Sequence, residues 1–271
     1  MSEIRFAKYC SSGNDFIVID NRRHRLPAPL AKFVKAVTRR KFSVGADGVL
    51  FLAKIDNKLR LRIFNPDGSE AEMCGNGARA FARFICQSGI AGRNISFQTR
   101  AGEISAKISG KSVKLKMTSP LDIRLRIPLR IRGQLYTGHF INTGVPHLVV
   151  AVRNLDKFPV KEIGRSIRFH RAFKPSGTNV DFISIESGKI FLRTYERGVE
   201  DETLACGTGA VASGIIAFIL GRIKKAPVKI MARGGELKIY FKKVEGLFQD
   251  VYLEGEACFI YEGKLKEEAY V

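Results

Sequence analysis

The sequence predicts a mixed α/β (α+β) fold of two pseudo-symmetric repeats, each a β-sheet wrapped around one central helix, with a site in the cleft between them. Three observations predict it: landmark motifs that recur at nearly constant spacing, alternating apolar runs around them, and one Cys-Gly-x-Gly-Ala helix start per repeat.

The recurrence comes first because it sets the frame. Gly45-Ala-Asp-Gly-Val-Leu-Phe-Leu returns as Gly177-Thr-Asn-Val-Asp-Phe-Ile-Ser-Ile, and Cys74-Gly-Asn-Gly-Ala returns as Cys206-Gly-Thr-Gly-Ala, each 132 positions later. Gly102-Glu103-Ile104 returns after 133 positions as Gly235-Glu236-Leu237. Ser12-Gly13-Asn14-Asp15-Phe16 has a weaker echo in Thr143-Gly144-Val145-Pro146-His147. Landmarks in one order at one offset mark an internal repeat of about half the chain. The expected boundaries are 1–119 for the N-terminal repeat, completed by 262–271, and 120–261 for the C-terminal repeat.

Within each repeat the elements follow one grammar. Leu59, Leu61 and Ile63 alternate as in a strand, as do Ile190 and Leu192. Polar turns follow, Asn65-Pro66-Asp67-Gly68-Ser69 in one repeat and Glu196-Arg197-Gly198 in the other. A helix then opens at the cysteine. Phe81, Phe84 and Ile85 give the first helix an apolar stripe, while Val211, Ile215, Phe218, Ile219 and small residues all round predict a second helix buried on every face. Strands over Val113–Met117 and Leu237–Phe241 come after.

Composition narrows the class. Apolar residues at 45% and charged residues at 27% belong to a folded domain rather than a disordered chain. Met1 to Cys10 lacks the apolar core of a signal peptide, and the longest apolar run, Gly214 to Leu220, is too short to span a bilayer. A cytoplasmic protein without membrane partners is expected. Five cysteines without an export signal argue for free thiols rather than a disulfide framework. The net charge of +20 is spread over nearly every segment, without zinc-finger spacing or RNA-recognition strands. It reads as a solvated basic surface, with non-specific polyanion affinity as an accessory property.

Cys74 and Cys206 carry the chemistry. A helix N-terminus offers unpaired N–H groups and partial positive charge, so a thiol there is expected below its usual pKa of about 8.5. Two such thiols facing one substrate suit two-base inversion: a thiolate removes an α-proton from one face while a thiol protonates the other. Two other readings compete. The cysteines can be small fillers at tight turns. Gly75 to Ala80 and Gly207 to Ala212 also match the G-x-G-x-x-A dinucleotide pattern, but the acidic residue expected about 20 positions on is missing from 95–100 and from 227–231.

The motifs closely resemble the diaminopimelate epimerase family nearly end to end. The resemblance rests on Gly13-Asn-Asp-Phe16, Gly45-Ala-Asp-Gly48, Phe64-Asn-Pro-Asp-Gly-Ser-Glu70, Cys74-Gly-Asn-Gly-Ala-Arg79, Pro146-His147, Asn179, Glu196-Arg-Gly198, Glu202 to Gly209 and Gly255-Glu-Ala257. It implies interconversion of LL- and meso-diaminopimelate, no pyridoxal phosphate or metal, and a homodimer touching through Glu256 to Tyr261. It implies Cys74 and Cys206 as the bases, with His147 and Glu196 tuning the thiols. Asn14, Asn65, Asn179, Glu196 and Arg197 are implied as substrate contacts, and Gly75, Asn76, Gly207 and Thr208 as the backbone cradle. Val145 departs from the family pattern where an asparagine that touches substrate is frequent, the Glu196–Cys206 segment carries one extra residue, and Cys10-Ser-Ser-Gly13 lacks a frequent histidine. Two further functions stay open on sequence: an epimerase of another amino acid on the same scaffold, and a non-catalytic polyanion-binding protein.

Overall fold

The computed structural model describes residues 3–23, 26–27 and 29–271. In chain order these form β1 (Ile4–Ser11), β2 (Asn14–Asp20), α1 (Leu30–Val37), β3 (Gly48–Ile55), β4 (Lys58–Phe64), β5 (Glu70–Ala71), α2 (Gly75–Gln87), β6 (Asn94–Thr99), β7 (Gly102–Ser109) and β8 (Ser112–Lys116). Then come β9 (Leu121–Ile131), β10 (Gln134–Asn142), β11 (Pro146–Ala151), α3 (Val160–Arg168), β12 (Asn179–Glu186), β13 (Lys189–Glu196) and β14 (Asp201–Thr203). The chain ends with α4 (Gly207–Ile219), β15 (Val228–Ala232), β16 (Gly235–Val244), β17 (Leu247–Glu256) and β18 (Cys258–Leu265). This is a mixed α+β fold, rich in sheet and with few helices.

Contacts divide the chain into two units, 1–115 with 255–271, and 116–254. Residues 255–261, expected in the second unit, belong to the first. The reason is β18, which pairs antiparallel with β1 from Ile4↔Leu265 to Cys10↔Cys258.

In the first unit the ladder runs β18, β1, β2, β3, β4, β6, β7, β8, with β2–β3 and β4–β6 parallel and the other pairs antiparallel. Residues 48–53 of β3 are buried without interruption because both faces of that strand are covered. Val49 and Phe51 pack with Phe33, Val34 and Val37 of α1. Leu50 points the other way, to within 3.1 Å of the position a Cβ would take on Gly77 of α2. The apolar stripe of α2 is in place: Phe81 and Ile85 are fully buried, and the Phe81 ring meets Phe97 edge-on at 4.9 Å.

In the second unit the ladder runs β9, β10, β11, β12, β13, β15, β16, with β11–β12 and β13–β15 parallel. Strand alternation sorts its side chains into two sets. Leu148, Val150, Val180, Phe182 and Tyr195 pack with Val160, Ile163 and Ile167 of α3. Val149, Ile183, Ile190 and Leu192 pack with α4, whose residues from Gly209 to Ala217 are all buried. This side of the sheet also carries His147, Asp181, Thr194 and Glu196, which fall at even spacing from those apolar residues on β11, β12 and β13.

Candidate active site

The three polar residues His147, Asp181 and Thr194 are enclosed with α4 as a connected set. His147 and Asp181 are fully buried, and Nδ1 of His147 lies 2.7 Å from Oδ2 of Asp181. The Thr194 hydroxyl donates to Oδ1 of the same carboxylate at 2.7 Å. Nε2 of His147 lies 2.9 Å from the Thr208 hydroxyl, and that oxygen is 3.4 Å from Sγ of Cys206. The Thr143 hydroxyl donates to the Thr208 carbonyl at 3.1 Å and steadies the start of α4. A buried carboxylate is costly unless its oxygens are hydrogen-bonded, and both of these are.

Gly209 makes the arrangement possible. A Cβ there would sit 2.3 Å from Oδ1 of Asp181, well inside contact distance. The second glycine of this Cys-Gly-x-Gly therefore makes room for a carboxylate of the protein itself.

Cys206 precedes α4 in extended conformation, at φ −111° and ψ 115°. Burial pushes its thiol well above the usual range, and the charges of Glu196 and Asp181 push it further. The Thr208 hydroxyl opposes them only in part. The helix start does pull this thiol down, through the Gly209 N–H, but burial and the two carboxylates outweigh it. A helix end contributes about 0.3–1 kcal/mol, less than one pKa unit, whereas full burial moves a group by up to about 3–5 units. Burial also raises the Glu196 carboxyl; hydrogen bonding from Thr203 and the nearness of His147 pull it back, while Asp181 adds to the rise.

Cys74 holds the same place before α2, at φ −142° and ψ 116°, and its Sγ accepts from the Gly77 N–H at 3.4 Å. Its surroundings are different. Arg79 is completely buried. Its guanidinium donates to Ser11 Oγ at 3.1 Å and to Ser12 Oγ and Asn76 Oδ1 at 2.7 Å, all neutral acceptors. Burial pulls Arg79 down to about 10, against the opposing charge of Cys74.

The amide residues are tied mainly to the protein. Asn76 donates to Asn14 Oδ1 at 2.7 Å, and Asn14 donates to Asp47 at 3.2 Å. Asp47 and Asp15 share Arg40, and Asp15 also meets Lys8 at 2.8 Å. Burial works to raise Asp15, yet the hydrogen bonds from Arg40 and Lys8 outweigh it and hold the carboxyl at about 2. Asn65 donates to Ser69 Oγ at 3.0 Å and closes its own exposed turn. Asn179 donates to the Pro146 carbonyl at 3.0 Å and accepts from the Arg197 N–H at 2.8 Å, which fixes the Glu196–Arg197 corner. The extra residue beyond that corner is accommodated by Glu200, at φ 59°, whose carboxylate takes the Gly198 N–H at 3.0 Å and Arg168 at 3.1 Å.

In the first unit Cys74, Asn76 and Asn14 are linked through the start of α2. In the second His147, Glu196, Cys206, Thr208, Asn179 and Arg197 are linked through the start of α4. Sequence reasoning missed Asp181, Thr194, Thr203 and Arg79. Two of these carried a usable signal: Asp181 stands two residues from Asn179 and Thr194 two from Glu196, so each shares a sheet face with a residue already singled out.

The chain resembles known proteins along nearly its whole length. The family model for diaminopimelate epimerase matches residues 6–121 and 139–260, which include every residue of both helix starts described above. A diaminopimelate epimerase from Aquifex aeolicus is 43% identical over 98% of this chain and 99% of its own length. One from Hydrogenobaculum sp. is also 43% identical, over 97% and 99%. Among solved structures, a phenazine biosynthesis protein of the PhzF family from Bacillus anthracis superposes with a TM-score of 0.74 at 16% identity, over 98% of this chain and 100% of that one, a likeness of fold. The chain belongs to the diaminopimelate epimerase family.

Proposed function

We propose that the protein interconverts LL- and meso-diaminopimelate by two-base proton transfer at the α-carbon, using Cys74 and Cys206 and no cofactor. Family membership supports the reaction and the substrate. The observation that carries the mechanism is the contrast between the two helix starts. Cys74 lies near a buried guanidinium, which favours a thiolate; Cys206 lies among carboxylates, which favour a thiol. One resting base and one resting acid are what inversion in one step needs, and their roles exchange in the reverse direction.

In this scheme His147 and Glu196 adjust the thiols. Asn14, Asn65, Asn179, Glu196 and Arg197 contact the substrate, and the backbone of Gly75, Asn76, Gly207 and Thr208 cradles its carboxylate. The two units are copies of one unit; the parallel and antiparallel pairings recur in the same order, β1–β2–β3–β4–β6–β7 against β10–β11–β12–β13–β15–β16. The protein acts in the cytoplasm, on the route to lysine and peptidoglycan precursors. It dimerises through the exposed side chains of Phe259, Ile260 and Tyr261 on β18.

Proton NMR of the reduced protein with LL-diaminopimelate in deuterated water tests this directly. The expected result is α-deuterium uptake together with the meso isomer. Exchange only with other amino acids would keep the mechanism and replace the substrate, a relevant outcome because Val145 cannot make an asparagine's hydrogen bonds. No exchange with any amino acid would end the proposal.

A further inference from the structure

We infer that the second unit carries a binding site for an organic phosphate at the end of α4 remote from Cys206, built from His139, Arg126, Arg153 and Arg222. The site is separate from the two-thiol chemistry and does not depend on it.

A cavity of about 960 Å³ opens there, and every residue that lines it belongs to 116–254. Ala217 and Leu220 bring the far end of α4 to its wall, whereas Cys206 precedes the first turn. Thirteen helical residues at about 1.5 Å each put roughly 20 Å between the two ends.

His139 marks the cavity as a built feature. Strands β9 and β10 slip register between Gly138 and Phe140, so that Leu125 and Arg126 together oppose His139. A bulge of this kind re-aims a side chain. Arg126 takes a φ of 57° there, a conformation that L side chains rarely adopt, and its N–H donates to Nδ1 of His139 at 3.3 Å. Nδ1 is therefore an acceptor, and the neutral ring carries its hydrogen on Nε2. His139 is only 8% exposed, and among the described residues Nε2 has no acceptor, although it is not sealed from solvent. A buried imidazole thus offers an unsatisfied N–H to the cavity it lines. Burial, and then the charge of Arg126, hold this imidazole below its usual pKa.

The surrounding charge selects the ligand. Arg126, Arg153 and Arg222 line the cavity against a single carboxylate, Glu186. Arg124 and Arg132, on either side of Arg126 in sequence, are paired with Asp122 and Glu162. Among the described residues the three cavity arginines have no such acidic partner. Guanidinium forks match phosphate oxygens in geometry and charge, and the imidazole N–H adds a donor. The carbonyls of Ile216, Ala217 and Phe218 at this helix end are taken by the N–H groups of Leu220, Arg222 and Gly221, which blunts their repulsion of an anion. Ile183, Ile185, Ala217 and Leu220 supply an apolar floor. Ile185 and Leu220 are half-buried, so a ligand with an apolar body covers surface that a bare inorganic anion leaves wet. The chemistry that fits is a phosphate monoester on a small apolar body.

The test is proton NMR of the full-length reduced protein, following the imidazole Cε1 protons with phenyl phosphate as the probe. The chain has four histidines, and His139→Gln, which keeps an acceptor for the Arg126 N–H, identifies the signal. Phenyl phosphate is expected to shift the His139 signal saturably and to move its titration to higher pH, because a neighbouring anion favours the imidazolium. Arg153→Gln and Arg222→Gln, both at exposed positions where folding is not at stake, should each weaken binding about tenfold. Arg130→Gln, exposed on β9 but outside the cavity, should stay within about twofold of the parent. Inorganic phosphate should bind about tenfold more weakly than the ester, and phenol should leave the signal in place. A His139 signal unmoved by about 10 mM phenyl phosphate would overturn the inference. So would a loss in Arg130→Gln as large as that in Arg222→Gln, which would mean diffuse attraction to a basic surface, or inorganic phosphate binding as tightly as the ester. Epimerisation enters none of these readouts, so this site and the proposed function stand or fall separately.

Discussion

The starts of α2 and α4 share a motif, a helix length of 13 residues and an extended cysteine before the first turn, yet they place opposite charges around the sulfur. Near Cys74 a buried guanidinium is held by neutral oxygens. Around Cys206 the nearby charges are carboxylates, and a hydroxyl stands between sulfur and imidazole. The motif positions the thiol; the charges beside it differ, carboxylates from β12 and β13 at Cys206 and the guanidinium of Arg79 on α2 itself at Cys74. Position 79 makes the same point in sequence, since its counterpart 132 residues on is Val211.

The sharpest way to break the comparison is to remove one sulfur at a time. Cys74→Ala and Cys206→Ala should each reduce epimerisation at least about 10³-fold with the circular dichroism spectrum unchanged. A fully active single variant would show that the pair does not act as a pair. Exchanging the charge at one end comes next. Arg79→Gln should slow alkylation of Cys74 about tenfold and leave Cys206 alone, since one pKa unit changes the thiolate fraction tenfold.

Glu196→Gln should act in the other sense at the other end, speeding alkylation of Cys206 by removing a charge that opposes its thiolate. It should also flatten part of the stability profile. The folded carboxyl of Glu196 is raised, so its favourable contribution is present at low pH and is lost as pH rises through the folded value. Urea unfolding of E196Q should therefore fall off less between acid and neutral pH than that of the parent.

The smallest effect belongs to the network behind Asn14. Asp15 is lowered from 3.8 to about 2, so it stabilises the first unit above the unfolded value and loses that contribution as pH falls toward 2. Allowing for solvent screening, Asp15→Asn should cost about 1–2 kcal/mol at neutral pH by urea titration and nearly nothing at pH 2.

Local pattern made much of this molecule legible. Alternation located β4 and β13, the apolar stripe located α2, and the all-round apolar pattern predicted a helix enclosed on every side, as α4 is. Both cysteines were found because two residue types at a fixed spacing define a helix start. The charge around them was not legible in the same way. Asp181 comes from β12 and Thr194 and Glu196 from β13, and only the register Asp181↔Thr194 brings the two strands' polar residues opposite each other. The helix-end argument fell short at Cys206 for a related reason: the Gly209 N–H acts in the expected direction, but larger burial and carboxylate effects contributed from elsewhere in the chain outweigh it. Asn65 and Asn179 show the opposite case, where amides singled out for a ligand also hold their own turns together.

Gly209 has a consequence for reading other genomes. Its hydrogen is the only side chain that clears the Asp181 carboxylate, so a Gly-x-Gly-x-x-Ala string is kept here by an acid inside the protein. A search that treats the string as a mark of nucleotide binders will collect chains like this one for the wrong reason. The string at Gly75 to Ala80 has Val49 at the corresponding place, 28 positions before Gly77, so the acid accounts for one of the two strings only.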